Sequence, residues 1–246
     1  MVVIISSLKE EISAILKKTD LLSVKEERSR RLFEVNYKSR QILLLQTGMG
    51  KENAISSVSF VLDHYPVSTV ISLGFAGALR DDLRPGDLVL YSAIFTKNNS
   101  EPVKPDFKLL SSIYSTMVSK KLKFSTCKGN SFTSNKMICE PDQKRGFREK
   151  YGCIAVDMES YWVAHVSSKC GVPFVCARAI SDTARQRIPK MDNFFSMDGE
   201  FSAVEVLKYL AGNPADFFSL ISLWKNAYLA RKSLTTLFAI TIDMLH

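Results

Sequence analysis

No stretch of this 246-residue chain approaches the ~18 consecutive apolar residues of a membrane-spanning helix. The apolar start, Met1 to Ile5, is short, has no basic residues before it, and runs into Lys9-Glu10-Glu11, so it reads as a first strand rather than a signal peptide. Cysteine is present five times (Cys127, Cys139, Cys153, Cys170, Cys176), an odd number with neither a CxxC pair nor metal-ligand spacing. Cys153 and Cys176 fall within apolar strand-like runs and read as small core hydrophobes. A disulfide framework and a metal site are therefore not expected, and a reducing, cytoplasmic compartment is. Also missing are an aromatic-interleaved basic stripe and any groove-reading motif, so the surplus of 33 Lys and Arg over 25 Asp and Glu reads as a scattered basic surface, not a nucleic-acid interface. Neither an internal repeat nor a low-complexity tract is visible.

What is present suits one domain over residues 1–246. Hydrophobic residues make up 46% and charged residues 24%, enough apolar side chain for a sheet covered on both faces. Val2–Ile5 predicts a buried strand, with a helix after it whose apolar face is Ile12, Ile15 and Leu16. Residues 31–37 and 41–46 predict a hairpin turning at Lys38-Ser39-Arg40. Residues 53–63, 108–121 and 141–150 predict helices, and 67–73, 88–94 and 122–127 predict strands. Residues 97–108 read as a surface loop and 184–196 as irregular. A helical tail over 202–246, stopped once at Gly212-Asn213-Pro214, ends the chain. Alternating strands and helices give an α/β three-layer αβα sandwich around a mixed sheet.

The chemistry is concentrated in Ile154 to Ser160 (IAVDMES) and Pro173 to Asp182 (PFVCARAISD). Glu159 and Asp182 each follow a predicted strand, at the edge of an open α/β sheet where ligands bind. Taken singly, either acid is as readily a helix cap. The segments AVDMESYWVAHV and PFVCARAISDTA resemble the signature of the nucleoside phosphorylase and nucleosidase superfamily. That resemblance implies a nucleoside phosphorylase-like fold, no cofactor and a small-molecule nucleoside substrate. It also implies that Glu159 and Met158 grip the ribose, while Asp182 serves as acid for the leaving purine. Glu11, in LKEEI after the first strand, resembles the water-activating glutamate of the nucleosidase branch, with Lys9 and Glu10 as solvated neighbours. On local sequence alone Glu11 is equally an exposed acid in a first helical turn. Phe132 and Phe75 are the candidate base contacts. A Phe132 that packs back on the core is the competing reading.

Gly48, Gly50 and Ser72 mark the expected nucleophile-site loops. The family's phosphorylases carry an arginine and a serine where this chain has Ser72 and Phe75, and losing both removes charge-assisted phosphate contacts. Water is therefore the expected nucleophile, with phosphate held by Arg40 left open. The runs EPDQKRGFREKYGCIAVDMES, SDTARQRIP and DGEFSAVEVLKYLAGNPADF look like the hopanoid-associated branch, which acts on adenosylhopane and releases adenine. A methylthioadenosine, adenosylhomocysteine or futalosine nucleosidase, a phosphate-dependent phosphorylase, and a nucleoside-binding protein without catalysis stay open beside it. Phe217, Phe218, Leu220, Ile221, Trp224 and Tyr228 keep helical spacing in the tail, with Lys225, Arg231 and Lys232 between them. Such a stripe packs on the domain or on a second subunit of a homo-oligomer, or makes peripheral membrane contact.

Overall fold

The computed structural model describes residues 1–27, 29–97, 99–190, 194–196 and 200–245. Asn98 of the expected loop, residues 191–193 of the irregular stretch and Asp198-Gly199 of the tail motif lie outside them. In chain order the elements are β1 (Val2–Ser6), α1 (Lys9–Leu16), β2 (Asp20–Glu27), β3 (Arg30–Tyr37), β4 (Arg40–Gln46), α2 (Lys51–His64), β5 (Thr69–Ala78) and β6 (Leu88–Thr96). Then come β7 (Asn99–Val103), α3 (Phe107–Ser119), β8 (Thr126–Thr133), α4 (Pro141–Tyr151), β9 (Ala155–Asp157), α5 (Ser160–Lys169), β10 (Phe174–Asp182), α6 (Ala203–Gly212) and α7 (Phe217–Met244).

The strands form one mixed sheet. Buried on both faces, β1, β5 and β10 run parallel and read as continuous Val, Ile, Leu and Ala stretches. β4 adds parallel to β1, and the antiparallel strands β3 and β2 extend that side. The β3–β4 hairpin closes through Lys38 and Ser39, both at positive φ (47° and 65°), as a short turn matched to strand twist requires. On the other side β5 pairs with two strands. Its length runs along β10, while Gly77 and Ala78 at its end pair antiparallel with Val156 and Ala155 of β9. β10 continues to β6, β6 to β8 and β8 back to β9, so these five strands close on themselves. Glu159 follows β9 and Asp182 ends β10, and these strands are joined through β5 rather than directly to each other.

Helices α2 and α5 cover one face over a core that includes Val58, Val61 and Val163. Helices α1, α3 and α7 cover the other, over Ile12, Ile113, Leu234 and Phe238. The expected αβα sandwich is what forms. Three details differ from the sequence reading. β8 begins at Thr126 rather than Leu122, because pairing of Leu88–Thr96 with Thr126–Thr133, not apolar alternation, defines it. β2 is an exposed edge strand, its Leu21, Leu22 and Val24 included, and so gives no buried face to detect. β7 lies within the expected loop.

Helix α7 serves two purposes along its length. Ala230, Leu234, Leu237, Phe238 and Ile242 are fully or almost fully buried, and the Phe238 ring meets Tyr37 edge-on at 5.1 Å. Phe218 and Trp224, in its first half, are 79% and 70% exposed. Phe238→Ala is expected to lose about 3–5 kcal/mol of stability by urea denaturation, as for buried aromatics elsewhere. Phe218→Ala should stay within about 0.5 kcal/mol. Small effects from both would remove α7 from the core.

Candidate active site

The carboxyl ends of β1, β4, β5 and β10 meet beneath a cavity of about 660 Å³. Glu11 enters it from the first turn of α1. Although it sits next to exposed Lys9, Glu11 is only 2% exposed. Its Oε2 accepts the N–H groups of Ser7 and Leu8, both at 3.0 Å, and the Ser7 hydroxyl at 3.3 Å. Its Oε1 accepts the Phe75 N–H at 2.7 Å. An acid at the third helical position that bonds back to the cap amide is half of a capping box, so local chemistry holds this side chain in place. Burial raises the Glu11 pKa, against the opposing pull of those amides and of Arg178. Gly74 makes room for it: a Cβ there would lie 2.8 Å from Glu11 Oε1.

Asp157 and Glu159, two residues apart in the turn from β9 to α5, take different tasks. Asp157 accepts from the Thr133 hydroxyl (2.8 Å), from the amide and hydroxyl of Ser160, and pairs with Arg178 at 3.3 Å. It fixes the turn. Glu159 then reaches the cavity with one protein donor among the described residues, the Gly50 N–H at 2.8 Å. Burial pushes its pKa up to about 8, with Asp157 and Glu11 adding to the rise and the Gly50 amide opposing it. Gly50 adopts φ of 88°, which aims that amide. Arg178 is 4% exposed and donates to the Ser72 carbonyl and hydroxyl, both at 2.9 Å. Burial works against its charge, but Asp157 and the other anionic groups around it hold its pKa above the usual arginine value.

Asp182 ends β10 at the cavity wall. Its Oδ2 accepts from Lys144 Nζ at 2.5 Å and its Oδ1 from the Ser181 hydroxyl at 2.8 Å. Gly77 leaves space here too, since a Cβ would fall 2.9 Å from Asp182 Oδ2.

The structure brings Glu11, Met158, Glu159, Phe75 and Asp182 to one cavity. Gly50 contributes through its amide. Gly48 does not line the cavity, and Ser72 lies beneath it, held by Arg178. Phe132 is a correction. It belongs to β8, is 2% exposed, and packs on Phe147 and Tyr151 at 4.8 and 4.4 Å, outside the cavity. Glu10 is a second correction, because it lines the cavity instead of standing in solvent, and burial raises its pKa. Arg40 opens β4 at the far end of the sheet and donates to the Ile242 carbonyl at 2.7 Å. Sequence reasoning missed Lys144 and Arg178, and also the wall opposite the sheet. That wall comes from α6, α7 and the segment before them, and includes Phe194, Phe195, Phe201, Phe217 and Trp224.

Buried acids on backbone amides, facing an apolar wall, suit an uncharged ligand rich in hydroxyl and ring-nitrogen groups. The 5′-methylthioadenosine/S-adenosylhomocysteine nucleosidase of Shewanella halifaxensis is 27% identical over 192 residues, 70% of this chain and 81% of the relative. The aminodeoxyfutalosine nucleosidase of Campylobacter jejuni is 26% identical over 223 residues, 84% and 96% of the two chains. Among solved structures, the Neisseria meningitidis 5′-methylthioadenosine/S-adenosylhomocysteine nucleosidase bound to methylthio-immucillin-A aligns at TM-score 0.78 and 16% identity, covering 98% of this chain and 97% of that one. The futalosine hydrolase of Helicobacter pylori aligns at 0.77 and 17% identity, over 98% and 97%. These structures share the fold. The phosphorylase superfamily model matches residues 1–209, most of the length over which the site is built, and this chain belongs to that superfamily.

Proposed function

We propose that this protein is a purine nucleosidase: it hydrolyses the N-glycosidic bond of an adenosine-type nucleoside bearing a large apolar group on the ribose 5′ carbon, and it releases adenine. Adenosylhopane is the substrate that fits this description best, which would place the protein in hopanoid biosynthesis. The carrying observation is that Glu11, Glu159 and Asp182 converge on one cavity whose opposite wall is aromatic. Asp182 gives a proton to the leaving base, Glu159 accepts from ribose hydroxyls with Met158 packed against the sugar, and Glu11 takes a proton from water. Glu11 Oε1 carries one backbone donor and keeps acceptor capacity for that water.

Water is favoured over phosphate by the same contacts. The amides of Ser7 and Leu8, at a helix start where an anion would otherwise sit, and the amide of Phe75 in β5 already hold the Glu11 carboxylate. Arg178 is engaged by Asp157 and Ser72. Adenine release from 5′-methylthioadenosine should therefore proceed at full rate in phosphate-free buffer and yield a free sugar. A strict requirement for phosphate would overturn the hydrolytic reading in favour of phosphorolysis.

The elevated Glu159 pKa has a kinetic consequence. Its ionised form, the one that accepts from ribose hydroxyls, dominates only above about 8. The kcat/KM for an adenosine-type substrate should rise with pH through that region, since this parameter reports ionisations of the free enzyme. A profile that falls or stays level there would remove Glu159 as the carboxylate that grips the ribose.

The apolar wall continues to the surface. Phe217, Trp224 and Tyr228 line the cavity and are also 48%, 70% and 49% exposed, with exposed Lys225 and Lys232 on the same helix. A substrate resident in a bilayer would enter here, with the aromatic rim in the interface and the lysines toward anionic headgroups. Truncation before Pro214 would also delete the buried residues of α7, so exposed positions make the better test. A Phe218→Ser/Trp224→Ser variant should stay folded and lose at least about tenfold in affinity for anionic liposomes, on the scale of burying two aromatic side chains. Unchanged liposome binding, no binding by the parent protein, or a self-associated parent that the variant renders monomeric would overturn the bilayer reading; the last outcome would assign the stripe to a second copy.

A further inference from the structure

Among the described residues, Lys144 is the most deeply buried charged side chain. Among the described residues of α4 it is the buried one, at 0% exposure on a helix otherwise turned to solvent. Its ammonium donates to Asp182 Oδ2 at 2.5 Å, to the Thr183 carbonyl at 2.8 Å and to the Gln186 carbonyl at 3.1 Å. Those contacts use all the protons of the group. An ammonium taken out of water is costly unless paired and fully hydrogen-bonded, and an apolar residue of similar volume often serves stability as well. Among the described residues, the acid that meets this cation is Asp182, at the cavity wall.

We propose that Lys144 is a positioning residue for departure of the base: it fixes the Asp182 carboxyl group and meets the negative charge left there when its proton is transferred. The inference rests on the nucleosidase reading. In the step, the bond from the anomeric carbon to N9 breaks and its electron pair passes to the purine. Asp182 enters this step protonated on Oδ1, the oxygen not held by Lys144; that proton goes to the purine ring nitrogen, leaving a carboxylate. Water oxygen bonds to the anomeric carbon and its proton goes to Glu11. The carboxylate appears beside an ammonium already in hydrogen-bond contact, so little has to reorganise as charge develops. The two backbone carbonyls anchor that ammonium, and the Asn226 side chain braces Gln186 from α7 at 3.2 Å.

Such a role separates from simple packing by its dependence on the leaving group. Lys144→Met, with Lys144→Gln as the variant that retains donors for the two carbonyls, should lower kcat for adenine release by about 10²-fold, the usual scale of general acid catalysis. KM should change little. Cleavage of a p-nitrophenyl riboside, whose leaving group departs as a stable anion, should change less than about threefold in either variant, because no proton is required. Lys144→Gln/Asp182→Asn should be no slower on adenine than Asp182→Asn alone, as expected for residues acting as one unit. Equal losses on both leaving groups, additive losses in the cycle, or an unchanged kcat for adenine would each overturn the proposal. Failure of the wild-type protein to release adenine from any nucleoside would instead overturn the nucleosidase reading, and this inference with it.

Discussion

Glu11, Asp157 and Glu159 are buried within electrostatic reach of one shared cation among the described residues, Arg178, and the character of the site follows from that imbalance. Asp157 takes the direct ion pair and, with the Thr133 and Ser160 contacts, locks the turn that carries Glu159. Glu11 is compensated by backbone amides. Glu159 has one such donor among the described residues, the amide of Gly50, and burial displaces its pKa to about 8. Carboxylates compensated so differently are suited to different work. With one donor among the described residues, Glu159 keeps acceptor capacity for hydroxyl groups of a ligand.

Backbone geometry makes these burials possible. β5 is a strand whose end is shared: it pairs with β10 along its length and with β9 at Gly77 and Ala78. Glycine at 74 and 77 removes the side chains that would strike Glu11 and Asp182. The GFAG segment is thus a floor cut away under two carboxylates. Asp182 differs from the other acids in having an ammonium of its own, supplied by α4 from outside the ring of strands. On the proposed reading, proton chemistry at the leaving base and at the water falls to two acids with separate electrostatic surroundings.

The wall across from these acids obeys a different rule. Residues of α6, the segment before it, and the first half of α7 face the cavity with aromatic and aliphatic groups. The second half of α7 is ordinary core, seated on the same sheet by Leu234, Phe238 and Ile242. One helix therefore links the hydrophobic core to the mouth of the site. An amphipathic pattern read along its length averages the two halves and distinguishes neither.

Much of the framework was legible from residue order. The apolar runs at Val2–Ile5 and in β5 and β10, the hairpin turning at Lys38-Ser39, and the helix opened by Pro141 are local in origin, because strand burial, left-handed turns and helix starts act over a few residues. Glu11, Glu159 and Asp182 could be nominated for the same reason, each standing at or shortly after the end of an apolar strand. What tertiary structure alone decided is who meets whom. Lys144 looks like any helical lysine in QKRGF until α4 docks against the end of β10. Phe132 looks available in a polar stretch until β8 is paired into the ring and its side chain turned toward Phe147 and Tyr151. Arg178 sits in an apolar strand where only the approach of Asp157 and Ser72 makes its charge tolerable. A sequence records the periodicity that forms elements; the charge balance and the cavity arise from contacts between elements far apart in the chain, and those exist only once the sheet has closed.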